Sequence, residues 1–174
     1  RQKVANYPGV TVESKQGQWS LAPDSRAFVI DLPGLYSLEV TSLDEQIARD
    51  VLLGRSSKLA KPDVIVVTVD ATNLIRNLYL ATQLIETGLP MVVALTMFDL
   101  AERSKIHINV QKLSEALGIQ VVAVIAKRRG GIDDLGRAVL NAAAAGPRQK
   151  PDWCFSIRDQ SWIVSDLNRE SWQE

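Results

Sequence analysis

The sequence predicts an α/β protein built on a doubly wound, mostly parallel sheet with one antiparallel hairpin at its edge. Three observations predict it. From residue 62 onward, short apolar runs (Val64–Val69, Met91–Leu95, Gln120–Ala126) alternate with stretches whose apolar residues recur at helical spacing, the pattern of βαβ crossovers. Two of these runs, like the earlier Ala27–Ile30, lead directly into an acid or hydroxyl: Asp31, Asp70 and Thr96, with Asp99 three residues on. Open α/β sheets gather their ligands at such strand ends. Finally, Gln18–Leu21 and Arg26–Ile30 flank the turn cluster Ala22-Pro23-Asp24-Ser25, which reads as an antiparallel hairpin.

Taken in order, Asn6-Tyr7-Pro8-Gly9 is a turn leading into the β-branched Val10-Thr11-Val12. Ala27–Ile30, a continuous apolar run broken at once by Pro33-Gly34, reads as a strand buried on both faces, with Asp31 at its carboxyl end. Ser42 and Glu45 form a capping-box signature, and Leu43, Ile47 and Val51 continue a helix up to Gly54. Leu74, Leu78, Ala81 and Ile85 mark one face of a second helix that stops at Gly88, with Pro90 beyond. Asn109 caps a short helix bearing Leu113, Ala116 and Leu117 and ended by Gly118. Leu135, Ala138, Val139 and Ala142 lie on a last helix closing at Gly146-Pro147. These elements delimit one unit over residues 1–146. Residues 147–174 form a tail carrying Trp153, Trp162 and Trp172, with a weak helical pattern around Trp162–Leu167. Packing of this tail on the sheet unit is favoured over a partner-binding role.

Composition narrows the functions. Twenty Lys and Arg balance twenty Asp and Glu, so no basic excess points to nucleic acid. The single cysteine, Cys154, rules out an internal disulfide and a cysteine zinc cage and fits a reducing compartment. No apolar run approaches the roughly 20 residues that span a bilayer, and Arg1-Gln2-Lys3 does not open a signal peptide, so the stretch reads as soluble. His107, the only histidine, is expected at the surface rather than on a metal.

The strand ends carry a chemistry. Asp31-x-x-Gly34 after a strand suits Mg2+ and a terminal phosphate: a hard cation prefers carboxylate and hydroxyl oxygen, and a glycine N–H can approach an anion closely. Thr11 can add a hydroxyl ligand from its loop. Loss of the phosphate would release both loops, a two-state switch. Asp99 can accept from both N–H groups on the edge of guanine, which adenine lacks, so an unpaired buried acceptor would reject the wrong base. The Ala126 N–H can serve the guanine carbonyl, in a loop that continues through Lys127. Plainer readings stand beside these: Thr11 as a strand residue, Asp99 as a helix cap, Asp70 as a turn into Ala71-Thr72-Asn73.

The stretches Asn6–Glu13, Asp31–Leu38, Thr41–Ile47 and Asp70–Leu80 together resemble the cytosolic G domain of ferrous iron transport protein B (FeoB), over about residues 1–145. The resemblance implies a Ras-like P-loop GTPase fold. It also implies a bacterial inner-membrane Fe2+ transporter whose cytoplasmic GTP-binding domain hydrolyses GTP slowly and regulates transport. Its ligands would be GTP, GDP and Mg2+, and its partner the transporter portion of the same polypeptide; an oligomer is left open. In that resemblance Thr11 and Asp31 attend the metal and Gly34 the terminal phosphate. Thr96 and Asp99 belong to the base-reading motif, and Ala126 and Lys127 to the last base-contacting loop.

The departures from the family pattern are specific. No Gly-x-x-x-x-Gly-Lys-Ser/Thr occurs. The resemblance puts that phosphate loop and a central strand ahead of residue 1, so a gap between the third and fourth strands is expected, with weak nucleotide binding for residues 1–174 alone. Thr96 stands where the motif normally has Asn, and Ile125 where a Ser is usual, each removing a hydrogen bond. Leu35 follows Gly34 where many GTPases carry a water-orienting Gln, so hydrolysis should be slow. The alternative is a non-hydrolysing interaction module that keeps the fold with a degenerate nucleotide site.

Overall fold

A computed structural model of the chain describes residues 3–6, 13–39, 42–57 and 59–148. Thr11 and residues 149–174 of the tryptophan-bearing tail lie outside the described residues. The strands are β1 (Lys3–Asn6), β2 (Glu13–Ala22), β3 (Ser25–Asp31), β4 (Ile65–Asp70), β5 (Met91–Thr96) and β6 (Val121–Ala123). The helices are α1 (Leu43–Leu52), α2 (Leu74–Glu86), α3 (Phe98–Arg103), α4 (Val110–Leu117) and α5 (Ile132–Ala145).

The six strands form two three-stranded sheets rather than one: an antiparallel β1-β2-β3 and a parallel β4-β5-β6. The expected break between the third and fourth strands is therefore present. The parallel sheet is covered on both faces. On one, Val67, Val69, Val93 and Leu95 meet Ala81, Leu84 and Ile85 of α2, Ala101 of α3 and Leu117 of α4. On the other, Val92 and Ala94 meet Leu135, Ala138, Val139 and Ala142 of α5, the four residues whose spacing predicts that helix. β5 is central, and all five residues from Met91 to Leu95 are buried. Strands covered in this way read as continuous apolar runs, as β5 does.

The helix signals are met locally. At Ser42 the side chain accepts from the Glu45 N–H, and the Glu45 carboxylate receives the Ser42 N–H, completing the capping box. Asn109 Oδ1 accepts the Lys112 N–H at 2.9 Å, and Gly118 ends α4 with φ of 68°. Asp70 turns the chain: its Oδ1 takes both the N–H and the hydroxyl of Thr72, at 2.8 and 2.7 Å.

Three expectations need correction. β3 is not buried on both faces, since Phe28 is 62% and Val29 41% exposed. Among the described residues it pairs only with β2, so no second strand covers its far edge. The hairpin is longer than expected: β2 reaches back to Glu13 and pairs with β1, whose four residues carry no period of their own. β6 is shorter than Gln120–Ala126, because Ile125 bridges to Gly130 and Ala126–Arg128 winds into a 3-10 turn. Gly131 closes that loop at φ of 77°, where a Cβ would stand 2.1 Å from the Ala123 carbonyl oxygen.

Among the described residues, packing on the core joins the antiparallel sheet and the segment after it to the rest. Trp19 and Leu21 of β2 pack on the α5 side of the core. Gly136 allows this approach, since a Cβ there would meet the Leu21 carbonyl oxygen at 3.3 Å. The segment after β3 then crosses back, and Leu32, Leu35 and Leu38 pack against the α2 side of the core.

Candidate functional site

Parallel pairing brings the carboxyl ends of β4, β5 and β6 to one edge. Asp70 lies opposite Thr96 and Leu95 opposite Ala123, so the residues after β5 and β6 emerge side by side. The Val124 N–H extends the pairing by donating to the Leu95 carbonyl at 2.8 Å. Thr96–Asp99 and Ile125–Lys127 thus share the sheet edge.

Asp99 sits in the first turn of α3, which starts at a left-handed Met97 with φ of 55°. No side chain caps that turn, so Asp99 is not spent as a cap. Its carboxylate is about one-third exposed and has only a marginal ion pair with Arg103, at 4.0 Å. An oxygen pair held loosely at a strand end is available to a ligand. Thr96 is committed differently: its hydroxyl donates to the Val69 carbonyl at 3.2 Å, tying β5 to β4.

Ala126 opens the 3-10 turn, where a backbone N–H has no partner within the turn itself. Ile125 is half-buried against Gly130, and Ala126 and Lys127 are exposed. Asp31 ends β3 opposite Lys15 and is exposed, with no ion pair among the described residues. It belongs to the antiparallel sheet, so it reaches this edge only through the segment 32–38, whose leucines anchor on the core. Gly34 in that segment is exposed, and a Cβ there would meet nothing within 4 Å. Its value is therefore not relief of crowding within the fold. His107 is exposed, and no cluster of His, Cys, Asp and Glu able to hold a metal occurs among the described residues.

Residues 1–139 match the family described as ferrous iron transport protein B. The chain belongs to the FeoB family. It is 46% identical over 143 residues to the Fe(2+) transporter FeoB of Salmonella typhimurium and to that of Escherichia coli K12. Each alignment covers 80% of this chain and 18% of the relative, so the chain spans about a fifth of the curated FeoB transporters it matches. Among solved structures, the cytosolic domain of L. pneumophila FeoB is 38% identical with a TM-score of 0.77, over 95% of this chain and 67% of that one. The cytosolic domain of T. maritima FeoB in its GMPPNP form is 32% identical with a TM-score of 0.78, over 98% and 66%. The FeoB G-domain of Methanococcus jannaschii is 42% identical with a TM-score of 0.68, over 74% and 79%. The fold is thus that of the FeoB G domain. No helix among the described residues is long and apolar enough to cross a membrane.

One residue of interest escapes the sequence reading. Gln83 on α2 is buried, yet the face predicted for that helix consists of Leu74, Leu78, Ala81 and Ile85. A lone Gln just before Leu84-Ile85 is its only trace in the sequence.

Proposed function

We propose that this chain is the GTP-binding and GTP-hydrolysing regulatory domain of a bacterial ferrous iron transporter, at the cytoplasmic face of the inner membrane. In this reading Fe2+ is the cargo of the membrane portion of the same polypeptide, and the domain switches between Mg-GTP and GDP. The observation that supports it is that β5 and β6 pair in parallel, so that Asp99, uncommitted to a cap, and Ala126, which opens a 3-10 turn, each follow the carboxyl end of one of two adjacent strands. T. maritima FeoB has been solved in GMPPNP and GDP forms, which supports a guanine nucleotide here.

The roles follow from the chemistry. Asp99 accepts from guanine and Ala126 N–H donates to its carbonyl, with Lys127 flanking the ring and Thr96 holding the strand end in place. Asp31 fits a hard cation, being an exposed carboxylate without a competing ion pair among the described residues. Together with Thr11 it would hold Mg2+, which when bound neutralises charge on the phosphates. Gly34 offers its N–H to the terminal phosphate. Hydrolysis adds water to the γ-phosphorus as its bond to the bridging oxygen breaks, leaving GDP and phosphate. Leu35 is packed against the core and has no polar atom to orient that water, so turnover is slow.

The test is a titration of the full-length protein with fluorescent GDP, GTP and ATP analogues in Mg2+. Tight binding of the guanine analogues over ATP, with the preference lost in Asp99→Asn, is the expected result. Equal affinity for all three, or none, sinks the reading. The second reading is a non-hydrolysing interaction module, favoured by Thr96 spending its hydroxyl on Val69 and by the apolar Leu35. It requires that Asp31→Ala and Asp99→Ala leave iron uptake intact.

A further inference from the structure

The loop following Gly34 is gripped by a side chain that the nucleotide reading does not use. Gln83 is 7% exposed and is the buried polar side chain among the described residues. Its Oε1 accepts the Leu38 N–H at 2.8 Å, across 45 positions of sequence. Two turns earlier on α2, the Arg76 guanidinium stands 4.9 Å from the centre of the Tyr36 ring. Residues seven apart lie on the same helix face, so one face of α2 holds both Tyr36 and Leu38. The side chains of Leu32, Leu35 and Leu38 dock on the same core.

We propose that Gln83 is a positioning residue that latches the segment 32–38 onto α2 and so pre-orders Gly34 for a terminal phosphate. This rests on the nucleotide reading above. If Leu38 lifts by more than about an ångström, the Gln83 carbonyl is left unpaired in apolar surroundings, which disfavours partial detachment. The loop is then either docked or released, the condition for a switch with two positions rather than a gradual one. The latch acts on one nucleotide state selectively. Only a nucleotide with a third phosphate uses Gly34, so an ordered loop favours GTP over GDP and leaves the base preference unchanged.

The test uses Gln83→Met, which keeps the length and removes the acceptor, and Gln83→Glu, which keeps an acceptor oxygen. In the full-length protein, amide hydrogen exchange in peptides covering residues 32–39 should speed up about tenfold in Gln83→Met, with residues 74–82 unchanged. Gln83→Glu should keep the wild-type protection. Should Gln83→Met loosen α2 itself, Arg76→Leu reads the same loop from an exposed position and should speed its exchange without altering α2. No acceleration in either variant overturns the latch. In the second arm, Gln83→Met should weaken a non-hydrolysable GTP analogue relative to GDP by about threefold to tenfold, with guanine still preferred over adenine. An unchanged ratio, or a shift toward the GTP analogue, overturns the coupling. If the wild-type protein binds no guanine nucleotide, the proposed function falls and takes the coupling with it, while the exchange arm still decides the latch.

Discussion

The two sheets of this molecule are made from similar residues and hold them very differently. β5 reads Met91-Val92-Val93-Ala94-Leu95 and is buried throughout, because α2 covers one face and α5 the other. β3 reads Arg26-Ala27-Phe28-Val29-Ile30 and leaves Phe28 62% and Val29 41% exposed, with one strand neighbour among the described residues. Even β4 divides: Val67 and Val69 are buried toward α2, while Val66, on the opposite face, is 39% exposed. Apolar composition thus marks a strand but does not say how much of it is covered. Stability should be concentrated in the parallel sheet, and Asp31 and Gly34, the proposed metal and phosphate ligands, should sit on the less secured half. That division suits the proposed switch, in which the base-reading edge stays fixed while the phosphate-sensing loop moves.

The contrast can be broken most directly at its strong side. Leu95 is fully buried, so Leu95→Ala should cost about 3 kcal/mol by lost contact and a residual cavity, read as a fall in the urea midpoint. A loss below about 1 kcal/mol would mean that the parallel sheet is not the stable core. The join between the sheets comes next. Gly136→Val places a branched side chain against the Leu21 backbone and should cost about 2 kcal/mol, with the largest gain in hydrogen exchange in β2 rather than β5. Equal loss in both strands would show one cooperative unit instead of two unequal halves. A smaller effect, about 1 kcal/mol, is expected for Ser42→Ala, which removes the cap of α1, with fraying at that helix end in exchange data. Least of all, Phe28→Ser should change stability by less than about 0.5 kcal/mol, since the ring is mostly in water. A large loss there would show that something covers β3 in the full-length protein.

The legibility of the candidate site follows the same line. Asp31, Gly34, Thr96, Asp99 and Ala126 are visible in the sequence because each follows an apolar run or a turn signal within a few residues, a local pattern. Family membership, matched over residues 1–139, is legible for the same reason. Whether Asp99 caps α3 is not legible, because a carboxylate near a helix start serves a cap or a ligand equally well in sequence. The left-handed Met97 and the uncapped turn decide that it is no cap. The hydroxyl of Thr96 could face a loop or a strand, and only strand pairing puts the Val69 carbonyl within its reach.

By itself the sequence determines α1, α2, α4 and α5, the caps at Ser42 and Asn109, the apolar faces of α2 and α5, and the strand ends that carry polar residues, whereas α3 carries no such signal. Each is set by interactions within a few positions along the chain, where periodicity and capping chemistry act. Tertiary structure alone decides that β3 stands half in water and that Gln83 meets Leu38 from 45 residues away. Those outcomes depend on which surfaces meet, and a strand or a glutamine carries the same local signal whichever neighbour it finds.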